Sequence, residues 1–460
     1  MKLNVLLFSI LLSISTTFLM AQTHIFTGNG GTSDWFTAEN WDVNSVPQSN
    51  SQVNIPDGFF VTISTSEAAV ESIELEGTAE LELTNNLTIT GEMIIPFLGQ
   101  LTYISGVISG GAIENEGTLR VMQNNAKSCT NLTITNNGLI EVLDTGIWRL
   151  NGTTVITNGP EGIFRMKGVG SVIKNSGTAV FYNEGLIQKS LHTADHAASY
   201  LILTIENHGV IRTDENTTLL ILSQQAALTN FHNGVIEGNG IYDITAPFVN
   251  TGTIAPGGEF VGNLEVVNSF DFPSEAVLEI DIEGAEEGAY DHLYITGFPD
   301  LNGTIEVNVS DYLELDDEFT ILTTNAISSC NLPAEVYALY DHHYYIFDVD
   351  CNTESVTLKV TDIAVLNNED FLKDAISFTP YPNPADDFFY ISLNFSETLL
   401  VSETGFTIQL FNSLGQKIHG IEHLSKGITK VERGNLLDGV YLLQLESNNK
   451  VIARSKLILH

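Results

Sequence analysis

The sequence predicts an all-β protein: a right-handed parallel β-solenoid followed by a small, separate β-domain. Three observations predict it. First, one short pattern returns through residues 57–255: Asn, any residue, Gly, any residue, then an aliphatic. Most successive spacings of this pattern fall between 17 and 25 residues. Second, the chain of 460 residues is 43% hydrophobic but only 16% charged, so its polar positions fall largely to Asn, Thr, Ser and Gly. Such a composition suits many short strands and turns. Third, the charge is uneven. The formal net charge is −39, with 57 acidic and 18 basic residues, yet residues 375–460 hold 8 acidic and 7 basic ones. A shift of that size marks a domain boundary.

The chain opens with an address. Lys2 precedes a mostly apolar run over residues 3–12, and Leu19-Met20-Ala21-Gln22 closes the segment. A basic start, an apolar stretch and a small residue before the break read as a secretory signal peptide over residues 1–21. Gln22, and not a Cys, stands directly after Ala21, which argues against a lipoprotein anchor. No later segment approaches the roughly 20 apolar residues of a membrane helix, so no transmembrane segment is expected in the mature chain.

Residues 22–56 read as an N-terminal cap. Gly31, Trp35, Asn40-Trp41, Pro47 and Val53-Asn54-Ile55-Pro56 stand there in order. An open solenoid end exposes strand edges, and two indoles could cover it. The other reading is a Trp pair that stacks on sugar rings. The segment resembles the lead-in of bacterial surface β-helix proteins.

The repeat follows over residues 57–255. Its copies include Asn115-Glu116-Gly117-Thr118-Leu119, Asn136-Asn137-Gly138-Leu139-Ile140, Asn183-Glu184-Gly185-Leu186-Ile187, Asn207-His208-Gly209-Val210-Ile211 and Asn250-Thr251-Gly252-Thr253-Ile254. Looser copies stand at Asn158-Gly159, at Asn175-Ser176-Gly177 and at His232-Asn233-Gly234-Val235-Ile236, and the step of 8 from Asn175 to Asn183 breaks the period. Asn and Gly tolerate left-handed backbone angles and suit tight turns. One turn with two or three short strands fills about 20 residues, and stacked units bury a core that no single unit could. Leu119, Ile140, Ile187, Ile211, Ile236 and Ile254 are expected to stack inward in neighbouring coils. The competing fold is a pair of hairpin-built sandwiches, whose turns should recur at 8–12 residues.

Residues 256–362 read as the C-terminal end unit of the solenoid. Ala255-Pro256-Gly257, Tyr290-Asp291-His292-Leu293, Leu301-Asn302-Gly303-Thr304 and Phe319-Thr320-Ile321-Leu322 follow in order. This series resembles the end of autotransporter-like passenger β-helices, which implies a structural unit. A linker over residues 363–376, with room for one helical turn, leads to the last domain.

Residues 377–460 carry the most specific signal. Tyr381-Pro382-Asn383-Pro384 comes first, then Asn412-Ser413-Leu414-Gly415, Gly439-Val440-Tyr441 and Lys456-Leu457-Ile458-Leu459. In order and spacing these resemble the type A C-terminal sorting domain of the bacterial type IX secretion system. The resemblance implies an immunoglobulin-like β-sandwich, Sec export to the periplasm, recognition by the type IX secretion machinery at the outer membrane, and removal of the domain. Its motif falls here on Tyr381, Pro382, Asn383, Pro384, Asn412, Leu414, Gly415, Gly439, Tyr441 and Lys456.

Three cysteines are present: Cys129, Cys330 and Cys351. An exported chain meets an oxidising compartment. Cys330 and Cys351 flank a segment dense in strand formers, and a hairpin there would bring them together as a disulfide. Three cysteines do not by themselves dictate a pairing.

Catalytic motifs are scarce. No Gly-x-Ser-x-Gly elbow and no His-Glu-x-x-His is present, and Gly168-Val169-Gly170 lacks the third Gly of a dinucleotide fingerprint. His419-Gly420-Ile421-Glu422-His423 matches an inverted zinc-protease string, but that chemistry needs a helix and the surroundings read as strands. Asp348-Val349-Asp350 begins like a calcium loop, yet Thr353 and Lys359 replace its Gly and Glu. Asp341-His342-His343 offers metal-ligating side chains in an aromatic strand. Asp214-Glu215 beside Arg212 is the one adjacent acid pair in the repeat near a base, with no evident partner cluster.

The expected function is a secreted or outer-membrane-attached surface protein, non-catalytic and adhesive, presenting a long rigid face. Its expected partners are the secretion machinery and surface glycans or matrix proteins. Nucleic acid is excluded because the acidic chain would repel it. No cofactor is expected, with calcium on the acidic surface as the one alternative. The alternative function is a carbohydrate-active lyase or hydrolase on the same scaffold, which would need paired carboxylates or calcium with a basic group.

Overall fold

The computed structural model describes residues 22–460 apart from 144, 192–196, 223–225, 269, 366–375, 396–405, 413–414, 425–426 and 448–449. The expected signal peptide, most of the linker with its helical turn, and Leu414 lie outside the described residues. Apart from one 3-10 turn at Ala38–Asn40, every regular element among the described residues is a strand. The chain divides into two compact units: residues up to Gly209 with Leu220–Ala227, and Val210–Leu219 with Leu228–His460.

The first unit is a parallel β-solenoid. Each coil contributes three short strands, for example Ala112–Asn115, Thr118–Val121 and Lys127–Thr130. The next coil begins at Thr133–Asn136, which pairs in parallel with Ala112–Asn115. Thr118–Val121 likewise pairs with Leu139–Val142, and Lys127–Thr130 with Ile147–Asn151. Equivalent residues therefore stack coil upon coil into three sheets. Alternation along each strand sends every second side chain into the core.

The expected aliphatic column is there. Leu101, Leu119, Ile140, Phe164 and Ile187 follow one another in register, all fully buried. In the second unit Ile211, Ile236, Ile254 and Leu278 continue in the same fashion. Phe164 escapes the sequence pattern because its corner, Asn158-Gly159-Pro160-Glu161-Gly162, is two residues longer than its neighbours'.

The pattern's asparagines do not sit where the turn argument put them. Asn115, Asn136, Asn158, Asn183 and Asn207 end strands of the first sheet, in register, with exposures of 0–1%. None of them is among the residues with positive φ. Their side chains point into the core and hydrogen-bond to one another. The glycines that follow serve a steric purpose instead: a Cβ on Gly185 would stand 2.3 Å from the carbonyl oxygens of Gly159 and Gly162. Only glycine lets the corners of successive coils stack at this distance. The irregular Asn175 is no column member. It lies exposed at another corner, bonded to Asn151, which accounts for the broken period. At the last loose copy the column residue is Asn230, with Asn233 in the turn beyond it.

The N-terminal segment both joins and closes the stack. Gln22–Ile25 pairs in parallel with Ser51–Ile55, so coil-like pairing begins ahead of residue 57. Between these strands Trp35 and Trp41 are buried at 0% and 1%, with ring centres 5.0 Å apart. Trp41 Nε1 donates to Trp35 O, and Phe26 packs edge-on against Trp41. Asn40, also buried, accepts from Gly30 N and donates to Thr32 Oγ1 and Asp34 O. Both indoles are inside the cap, so neither offers a face to a sugar.

In the second unit parallel pairing continues past residue 255. Asn263–Val267, His292–Thr296 and Glu318–Thr324 follow one another, as do Val277–Ile282 and Thr304–Val309. The pattern then changes. Ser355–Val365 runs antiparallel to Glu318–Thr324 and to His343–Cys351, and Glu335–Tyr340 runs antiparallel to His343–Cys351. Asp341 and His342, with φ of 39° and 68°, form the hairpin turn.

The last region is two antiparallel sheets around a common core. One holds Ile376–Tyr381, Phe388–Phe395 and Gly427–Glu432. The other holds Lys417–Leu424, Phe406–Phe411, Gly439–Ser447 and Lys450–Leu459 in that order. Ile391, Leu393, Phe406, Ile408, Leu443 and Leu457 from both sheets share the interior.

Candidate functional sites

The motif residues of the terminal domain fall into two groups. Asn383, exposed, clamps the last strand: its Nδ2 donates to Lys456 O at 2.6 Å and its Oδ1 accepts from Ile458 N at 2.8 Å. Ala385 extends the seam, with Ala385 N donating to Ile458 O and His460 N to Ala385 O. Tyr381, Pro382 and Pro384 line the exposed approach to it, and the Tyr381 ring stacks on Tyr390. Lys456 is exposed on the clamped strand, opposite Leu442. Tyr441 sits on the neighbouring strand, mostly buried, its hydroxyl bonded to Leu437 O, and Gly439 opens that strand.

The second group is a turn. Asn412 Oδ1 accepts from Gln416 N, and Gly415 takes a φ of 78° that a side chain would strain. Sequence reasoning missed Arg433. Its guanidinium donates to Leu436 O, Asp386 O and His460 O, and pairs with Asp438. A lone Arg after a strand carries no motif, so only the fold reveals this hub.

Cys330 and Cys351 are joined, their Cα atoms 6.5 Å apart. Cys129 is free and buried beside Trp148, whose Nε1 donates to its sulfur at 3.1 Å. Burial pushes this thiol up to about 12, so it stays protonated and inert.

The acid and histidine candidates do not assemble into a centre. Arg212 pairs with Glu237 on the next coil, at 2.5 Å, in place of Asp214 or Glu215. Asp341 and His342 are spent on the hairpin turn, and Asp341 accepts from the Tyr312 hydroxyl. Asp348 and Asp350 are exposed on their strand. His419 and His423 lie in the strand Lys417–Leu424, where a helical zinc motif has no counterpart. Among the described residues no group of three or more His, Cys, Asp or Glu is arranged to hold a metal ion.

One polar cluster stands out on the solenoid. On the outer face of the second sheet, built from Thr118–Val121 and its equivalents, Thr102, Arg120, Glu141, Arg165 and Gln188 occupy one register column. The Glu141 side chain, only 7% exposed, lies 3.0 Å from Lys167 Nζ, 3.5 Å from Arg120 Nε and 3.6 Å from Arg165 Nη1. Beside it runs a parallel column of half-buried Leu139, Ile163 and Leu186. Two further cations are interior. Lys127 Nζ donates to Gln123 O and Asn125 O, and Lys189 Nζ to Gly168 O and Ser190 O. These lysines tie corner carbonyls together, and Gly168 O accepts from Ser199 Oγ as well. Burial lowers Lys127 to about 8, with Arg149 adding to the effect.

The fold and these sites define an exported solenoid protein with a sorting tail. Residues 379–460 match the family described as the secretion system C-terminal sorting domain. The chain is therefore a substrate of the type IX secretion route, with a β-helix ahead of its sorting domain. No curated protein matches the chain. No helix among the described residues is long and apolar enough to cross a membrane.

Proposed function

We propose that the protein is a non-catalytic surface protein, adhesive in role, whose solenoid presents rigid sheet faces to an external ligand. In this reading a signal peptide takes the chain by the Sec route to the periplasm, and the immunoglobulin-like tail then delivers it to the outer surface or the medium. The observation that carries the reading is the state of the carboxylate that, among the described residues, is set among three bases on a regular sheet face. Glu141 is surrounded by Arg120, Arg165 and Lys167. A general acid or base needs a carboxylate with room for a proton and a second group across the reacting bond. Glu141 serves as the counter-ion of a fixed array instead. Surface glycans and matrix proteins are the proposed ligand classes, and calcium on the acidic faces is a proposed aid to binding.

The test is a binding screen of the secreted chain on glycans and matrix proteins, with and without calcium. A parallel assay follows reducing or unsaturated sugar ends. Saturable binding without turnover is expected. Turnover abolished by changing a single acidic side chain would replace this reading with a carbohydrate-active enzyme.

A further inference from the structure

We propose that the Arg120–Glu141–Arg165–Lys167 strip on the outer face of the second sheet binds a linear polyuronate, an acidic glycan bearing repeated carboxylates. The inference rests on the surface-binder reading and names the ligand for one face. Three observations carry it. The first is local charge: three cations surround one carboxylate, a net of two positive charges on a chain whose formal net charge is −39. At physiological salt the Debye length is about 8 Å, so distant carboxylates are screened while this island acts at contact range.

The second is unused donor capacity. Arg120 and Arg165 stand 3.5 and 3.6 Å from Glu141, beyond close hydrogen-bonding range, and Arg165 Nε donates to Gln188 Oε1 at 3.1 Å, which leaves its Nη groups for a ligand. Arg120 Nε is buried without any hydrogen-bond partner among the described residues. A guanidinium presents five N–H groups in a planar fork that fits a carboxylate in bidentate fashion. The side chains of Arg120, Arg165 and Lys167 are 40, 28 and 29% exposed, so an incoming carboxylate can reach them. Glu141 itself shows that the array accommodates that group.

The third is the apolar companion. Leu139, Ile163 and Leu186 stack in register along the same direction. Their exposed edges suit the C–H faces of sugar rings, while the cations meet the carboxylates on one side of the chain. Coils repeat at about 4.8 Å, which puts the two arginines about 10 Å apart along a ligand lying parallel to the stack.

The probe is polygalacturonate, titrated against the secreted protein at low and high NaCl, with dextran sulfate and neutral dextran alongside. Binding is expected at 150 mM NaCl and should weaken at 500 mM. The pair R165Q/K167Q should lose about ten-fold or more, the scale of one or two charge-assisted hydrogen bonds. E141Q removes the competing carboxylate and should tighten binding, which no purely structural role of these residues would produce. K174Q, on a different sheet, should leave binding unchanged. Circular dichroism of each variant checks folding. No polygalacturonate binding by the folded protein, equal binding by R165Q/K167Q, or binding of dextran sulfate alone would overturn the assignment. If neutral glycans or matrix proteins bind and polygalacturonate does not, this inference fails while the surface-binder reading stands. Cleavage of bound polygalacturonate would overturn the non-catalytic reading and leave the ligand assignment standing.

Discussion

Asn136 Nδ2 donates to Asn158 Oδ1 at 2.6 Å, and neither side chain reaches water. The same bond runs from Asn115 to Asn136, from Asn158 to Asn183, from Asn183 to Asn207, and from Asn230 to Asn250. Every link has the same direction, each amide donating to the next residue along the chain. The amides also donate to corner carbonyls, as Asn158 does to Gly162 O and Asn183 to Gly185 O. The polarity of the column shows at its ends. Asn115 Oδ1 and Asn250 Nδ2 are buried without a hydrogen-bond partner among the described residues. On the coil before Asn115 the register position holds Ile95, which has no donor to offer.

Interrupting the column should therefore cost stability out of proportion to the atoms removed. Asn158→Leu leaves Asn183 Oδ1 without its donor from Asn158 and strips Gly162 O of a partner. One buried polar group left unsatisfied costs about 1–3 kcal/mol, so a loss of roughly 3 kcal/mol is expected from urea unfolding. Asn175→Ala, at the exposed corner, should change stability by less than about 0.5 kcal/mol. Equal effects from the two substitutions would deny the column its role.

The contrast between Asn158 and Asn175 also shows how far the sequence is legible. Periodicity locates the coils, because a corner that admits only glycine must recur once per turn. The inward column of Leu119, Ile140 and Ile187 is legible for the same reason. The function of the asparagines is not, since Asn before Gly is equally the signature of an exposed turn. Only coil-to-coil register reveals that these amides face one another. The Glu141 array is hidden for a related reason: Arg120, Glu141 and Arg165 are separated by about a full coil each, and nothing local links them. Asn383 could be read as part of a motif, but its grip on Lys456 and Ile458 spans the whole domain.

Asp291 gives a pH dependence with a definite sign. It is 1% exposed, and its carboxylate accepts from Gly262 N at 2.7 Å and Asp281 N at 2.9 Å. Burial outweighs these bonds and pushes it up to about 8, with Asp281 and Glu279 adding repulsion. The native state then holds a proton that the unfolded state has released between about pH 4 and pH 8. Its contribution is present at low pH and is lost as pH rises through that window, at most about 1.4 kcal/mol per pH unit. Burial raises the neighbouring Glu279, which acts in the same direction, while half-buried His292 is lowered and acts oppositely. Both remain in Asp291→Asn, so the difference isolates Asp291. Urea midpoints at pH 5, 6.5 and 8 should decline less steeply in the variant, and parallel slopes would refute the assignment.

The cysteines make a prediction about labelling. Cys330 and Cys351 close a loop of sequence separation 21, and Cys129 is buried. Native alkylation without reductant should add no mass to the chain. Denaturation without reductant should add one adduct, on Cys129, and denaturation with reductant should add three. Loss of the crosslink in Cys330→Ser should cost about 3 kcal/mol on a chain-entropy account of a loop this long. Native labelling of Cys351 would show that the pair is not joined in the exported protein.

The central claim is that the terminal domain, held together by its last strand, exports the solenoid. Lys450–Leu459 lies between Gly439–Ser447 and the Asn383–Ala385 seam, so removing it exposes a strand edge and frees the Tyr381-Pro382-Asn383-Pro384 segment. The most direct measurement is fractionation of cells that make the chain lacking residues 451–460, with protease resistance of the solenoid followed in each fraction. The protein should accumulate in the periplasm with its solenoid folded. Arrival of the truncated chain at the cell surface or in the medium at the level of the full chain would contradict the account.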